Sequence, residues 1–217
     1  MMTTQLALFA IISGLYFAQE ICLYFIFRKK YGMLPNITGR KSVDELDRFY
    51  GFSIQIVSAF YVATFISLIF NTRIQGIASP VEMLDNPLVR YLGFAAGIGF
   101  LVLIAVSRMN LGACWRIGID PCLKTDVVYR GLYRHIRHPY FTALLGFQFA
   151  VIFIVPTTLT VFAFILSLVI VNFQARREEA WLEQLHRTAY ADYKRRTGRF
   201  LPIVGTTCRM ARTMEEN

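Results

Sequence analysis

The chain has 217 residues, of which 55% are hydrophobic and only 17% charged, where a soluble domain carries about 25% charged residues. This balance excludes an ordinary soluble globular domain and points to one compact integral membrane domain spanning residues 1–217. The formal net charge of +9 reads as the surplus of Lys and Arg that membrane proteins carry in their loops, so no nucleic-acid partner is expected.

The first apolar run, Leu6 to Phe27, has 22 residues. As a helix it would measure about 33 Å, enough to cross a hydrocarbon core of about 30 Å. Gln19 and Glu20 interrupt it, and such groups should face other helices or water rather than lipid. Further runs follow at Phe49 to Phe70, Leu88 to Val106, Tyr140 to Val155 and Thr157 to Phe173. Gly93, Gly97 and Gly99 in the third run would permit close helix approach. Pro156 alone separates the last two, which read as a tight helical hairpin. Cys22 is expected to be a small buried hydrophobe, and Asn36-Ile37-Thr38 matches a glycosylation sequon.

The expected fold is therefore all-α and integral to the membrane, with five transmembrane helices. Charge orients them. Residues 28–48 hold six Lys and Arg, 71–87 one, 107–139 six, the Pro156 turn none, and 174–217 nine. This alternation places the N-terminus outside and the C-terminus in the cytoplasm. It also gathers residues 28–48, 107–139 and the tail from 174 on the cytoplasmic side, where any shared site should lie.

Two polar stretches border apolar runs. In "YRHIRHPYF", residues 133–141, Pro139 opens the fourth helix, a position where its missing N–H costs nothing. That helix N-terminus favours anions, and Arg134, Arg137 and His138 could add donors. The alternative is a set of headgroup anchors. In residues 174–202, helical over 174–187, Glu178 and Glu179 follow Arg176 and Arg177. They could face the Arg/His cluster with a polar ligand between, or form only local ion pairs. Trp115, in "NLGACWRIGID", is a belt residue or an aromatic wall for a ligand. His135 and His138 have no well-placed third ligand, so no metal site is expected. Phosphate-loop, nucleophile-elbow and dinucleotide fingerprints are missing.

Over residues 88–202, expected to be a cofactor-binding methyltransferase core, the chain resembles the integral membrane methyltransferases related to isoprenylcysteine carboxyl methyltransferase. The resemblance rests on Arg137-His138-Pro139-Tyr140-Phe141-Thr142-Ala143, then a helical hairpin, then Glu178-Glu179, then Tyr190 and Tyr193, then Arg199-Phe200-Leu201-Pro202. Phe141 stands where the family has Tyr, and Ala143 where it has Gly. The resemblance implies S-adenosylmethionine bound at the cytoplasmic membrane surface without a Rossmann domain. Arg134, Arg137, His138, Pro139, Phe141, Glu178, Glu179 and Tyr190 would form the cofactor pocket. His138 and Arg137 would hold the carboxylate end, the two glutamates would hold hydroxyls or the amino group or orient Arg177, and Tyr190 would close the site. Arg177 would orient a carboxylate acceptor, and Glu178 or His138 would take a proton from an amine or thiol. The implied acceptor is lipophilic or prenylated and arrives from the bilayer. Phospholipid amines, small thiols, an NADPH-dependent membrane reductase and a non-catalytic scaffold remain the alternatives.

Overall fold

The computed structural model describes residues 2–32, 45–70, 79–115 and 127–203. The sequon at 36–38, Arg116, Gly118, Cys122 and Cys208 lie outside them. Five α-helices form: α1 (Met2–Tyr31), α2 (Glu45–Phe70), α3 (Pro87–Leu111), α4 (Pro139–Ile154) and α5 (Thr158–Arg196). Short 3-10 turns stand at Glu82–Leu84, Gly112–Cys114 and Gly131–Arg134.

Four of these helices, α1, α2, α3 and α5, are long and apolar enough to cross a membrane. The five-span expectation differs at α4, whose 16 residues make about 24 Å of helix, short of the core thickness. The fifth run and the polar tail together form a helical segment of 39 residues. It breaks at Arg187 (φ 32°, ψ −102°), where a non-glycine residue at positive φ costs about 1–3 kcal/mol. Beyond the break the chain turns back, and Lys194 reaches the carboxylate of Glu183. Eleven residues along an unbroken helix would hold them about 16 Å apart.

Local signals explain the starts. Pro87 and Pro139 both sit in the first turn of their helices, and Asn86 Oδ1 accepts from Leu88 N at 2.8 Å. Thr157 and Thr160 form a reciprocal capping box at the head of α5.

The helices alternate in direction. At one end, Gln5 of α1 donates to Asp85, Arg90 pairs with the same carboxylate, and Thr158 N donates to Ser79 O. At the other end, the last turns of α1 and α3 meet the first turns of α2 and α4. Phe27 packs edge-on against Trp115, and Asp47 of α2 reaches Arg177 of α5.

The core centres on the α3–α4 contact, with Leu101, Ile104, Phe147, Val151 and Ile154 buried against Phe9 and Ile12 of α1. Close approach depends on glycines, two of them on α3. A Cβ at Gly93 would stand 2.7 Å from Phe153 Cβ and 3.0 Å from Ala150 O, and one at Gly97 would stand 2.7 Å from Ile12 Cδ1. Gly99 faces open space, so it plays no such part. Large apolar side chains such as Phe25, Phe70 and Val169 point outward. This outward apolar surface suits contact with lipid rather than water. Cys22 belongs to it: its thiol is exposed rather than buried as expected, because it falls on the outer face of α1.

Candidate functional site

The segment leading into α4 is fixed by the chain that follows α5. Arg137 N donates to Gly198 O at 2.9 Å and His138 N to Arg199 O at 3.0 Å. Thr142 Oγ1 adds a bond to Phe200 O at 2.8 Å. Residues 197–200 thus strap the mouth of α4. The strap turns sharply, and a Cβ at Gly198 would fall 1.7 Å from Leu201 O. His138 occupies the cap position of α4 but makes no side-chain cap bond. Its imidazole turns to α5 instead.

There it meets two adjacent glutamates in different surroundings. Glu179 is 2% exposed. Arg199 grips both its oxygens, Nε to Oε1 at 2.9 Å and NH2 to Oε2 at 2.8 Å. Arg137 Nε donates to Oε1 at 3.0 Å, and its NH1 group donates to the carbonyls of Lys194 and Thr197. His138 Nε2 lies 3.3 Å from the same Oε1, without hydrogen-bond alignment. The Glu179 carboxylate holds the Arg199 guanidinium above its already high ordinary pKa. A bidentate fork plus a second arginine saturates Glu179. It ties α5, the strap and α4 together.

Glu178 faces the other way, with 29% of its side chain exposed. Oε2 lies 3.5 Å from His138 Nδ1, and Oε1 accepts from Gln174 Nε2 at 3.1 Å. Gln174 is completely buried. Its amide is oriented by Arg177 NH1, which donates to Gln174 Oε1 at 3.3 Å and to Asp47 Oδ1 at 3.0 Å. Asp47 is itself 1% exposed. A relay from α2 therefore aims Glu178.

The other predicted positions separate. Pro139 is buried in the first turn of α4. Phe141 is 5% exposed and stacks on His138, with centroids 5.5 Å apart and planes 20° from parallel. It supplies a wall, which a phenylalanine does without a hydroxyl. Ala143 is buried in the core beside Phe147. Tyr190 is 1% exposed, with no hydrogen-bond partner for its hydroxyl among the described residues. Burial first, and then the Glu178 carboxylate and the Tyr193 hydroxyl, push the Tyr133 phenol well above its ordinary pKa. Tyr193 donates to Tyr133 O at 2.6 Å and closes that corner. Arg134 is exposed on the turn before α4 and does not reach the cluster. Arg177 faces Asp47 and Gln174, not the open space beside Glu178.

That space is a cavity of about 810 Å³ to which all five helices contribute. Ligand pockets commonly measure about 300–1,000 Å³. Its polar end is lined by His138, Glu178, Tyr190, Arg108 and Glu20. The remainder, past Tyr50 and Val62 to Phe65 and Phe147, is mainly apolar. Arg108 and Glu20 pair at 2.7 Å, so Glu20 faces inward as a polar interruption of an apolar run should. Among the described residues no group of three or more His, Cys, Asp or Glu side chains could hold a metal ion.

Sequence reasoning missed Asp47, Gln174 and Arg108. Asp47 lies 130 residues from Arg177, and nothing local announces that pairing. Arg108 carried a usable signal: Trp115 follows seven residues on, two helical turns along, and its ring lies 4.7 Å from the guanidinium. Comparison with known protein families, curated proteins and solved structures yields no match.

Proposed function

We propose that the protein is an integral membrane methyltransferase that uses S-adenosylmethionine and acts on a lipophilic acceptor, with its site on the cytoplasmic side. The observation that carries this reading is a single cavity with a polar end at the mouth of α4 and an apolar remainder between the helices. Such a shape accommodates a polar cofactor and the tail of a lipid-like molecule together. The alternation of basic and neutral loops supports the sidedness.

The residues fit the cofactor's chemistry. The Tyr190 hydroxyl and His138 Nε2 are buried polar atoms without aligned partners, which bound polar groups could satisfy. Glu178, partly exposed to the cavity, can accept from hydroxyl or ammonium groups. Phe141 and His138 form a stacked pair against which a flat group can rest. The cofactor supplies a methyl group already activated on a sulfonium. The protein must align the acceptor and exclude water, and positioning of this kind can contribute about 7–11 kcal/mol.

The roles shift from those the resemblance implies. Glu179, saturated by Arg137 and Arg199, builds the pocket rather than holding cofactor. Arg177 becomes a positioning residue for Glu178, acting through Gln174. Glu178 and His138, 3.5 Å apart, are the pair able to hold a proton taken from an amine or thiol acceptor. A carboxylate acceptor would need no base.

The test is equilibrium binding of radiolabelled S-adenosylmethionine to the purified protein in detergent, with NADPH as a parallel ligand. Saturable binding of the methyl donor, abolished by His138→Ala and by Glu178→Ala in folded protein, is expected. Binding of NADPH alone would replace this reading with a reductase, and binding of neither would leave a scaffold.

A further inference from the structure

Among the described residues Arg108 is one of the largest fully buried side chains, at 1% exposure, and it lines the cavity. Two aromatic rings flank its guanidinium: the Trp115 ring centroid lies 4.7 Å away and that of Tyr140 4.8 Å. Such cation–π contacts hold the guanidinium in place and leave its N–H groups as the atoms that can meet a ligand. NH2 is occupied, 2.7 Å from Glu20 Oε1 and donating to Tyr140 OH at 2.9 Å. Nε and NH1 have no hydrogen-bond partner among the described residues. Leaving charged donors unpaired in a buried place is costly, by about 1–3 kcal/mol or more. From this polar end the cavity continues into a mainly apolar part lined by Val62, Phe65 and Phe147.

We infer that Arg108 is the head-group site for an amphiphile with an oxyanion head, a carboxylate or a phosphate, its chain lying in the apolar part of the cavity. The free N–H groups are donors without a compensating acceptor, and an oxyanion supplies acceptors and negative charge together. An ammonium head would meet a guanidinium and is disfavoured. Glu20 competes with the ligand for the same cation, because it already sits against NH2. The site is thus held half-neutralised, and the ligand's charge must displace or share that carboxylate. As an acceptor site this rests on the methyl-transfer reading; as a lipid-anion site it stands without it.

The experiment omits S-adenosylmethionine, so its result does not depend on methyl transfer. Purified protein in a neutral detergent is titrated with hexadecanoate, hexadecyl phosphate, hexadecanol and hexadecylamine. The two anions should bind saturably and at least about tenfold more tightly than the alcohol or the amine, the range of a charge-assisted hydrogen bond. Preference between the anions separates a carboxylate-bearing lipid from a phosphate-bearing one. Arg108→Gln should remove the discrimination. Should that variant fail to fold, Glu20→Gln decides: it removes the competitor and should tighten both anions several-fold while leaving hexadecanol unchanged. Equal binding of amine and anion, or unchanged anion affinity in Glu20→Gln, would overturn the inference.

Discussion

Glu178 and Glu179 are neighbours on one helix, yet they belong to two regions built on opposite logic. Around Glu179 the carboxylate is saturated: two arginines, one of them also donating to two carbonyl groups, lock α5 and its strap to α4. Around the cavity, one residue away, polar groups are aimed but unfinished, with Tyr190, His138 and Arg108 all carrying unpaired buried atoms. A saturated buried network specifies geometry, whereas incomplete networks in a cavity are where a ligand finds partners. The difference separates scaffold from site more sharply than residue type does, since both regions use Arg, His and Glu.

Removing the scaffold should have the largest effect. Glu179→Ala leaves Arg137, whose side chain is 8% exposed, without its counter-charge, and breaking a buried pair from one side costs about 3–5 kcal/mol. Thermal melting in detergent should show a large drop or no folded protein. If Glu179→Ala melts like the wild type, the saturated cluster is not structural. Gly93→Leu comes next, because the added side chain meets Phe153 and the Ala150 carbonyl; overpacking of this kind costs about 1–3 kcal/mol. Gly99→Leu, with open space around it, should melt near wild type.

Asp47→Asn tests the relay between the regions. It weakens the hold on Arg177 and should cost about 1–3 kcal/mol, with a moderate loss of cofactor affinity as Gln174 and Glu178 lose their register. Glu178→Gln should change the melting temperature little and cofactor binding greatly. Arg134→Ala, on the exposed turn, should move stability by no more than about 0.5 kcal/mol and leave binding unchanged.

The sequence was legible where the physics is local. Apolar runs long enough to span a membrane announce α1, α2 and α3, and Pro139 announces the start of α4. It was less legible where distant segments decide. The tail of α5 continues the apolar run as one helix because no proline or glycine stops it, but its reversal at Arg187 has no local signal: an arginine at positive φ is held there by tertiary contacts such as Lys194 with Glu183. Arg134, Arg137 and His138 look alike in the sequence, yet only the latter two are turned inward, by bonds to Gly198 and Arg199. Phe141 stacks on His138 as an aromatic wall. The roles of Glu178 and Glu179 could not be separated by their positions, because the partners that distinguish them come from α2, α4 and the strap.

The most direct test of the division between the two glutamates is a titration of S-adenosylmethionine against wild-type protein and Glu178→Gln, each shown to be folded by its melting curve. Saturable binding by the wild type and a loss of about tenfold or more in the variant at nearly unchanged melting temperature is the predicted result. Unchanged affinity in Glu178→Gln, or no saturable binding by the wild type, would contradict it.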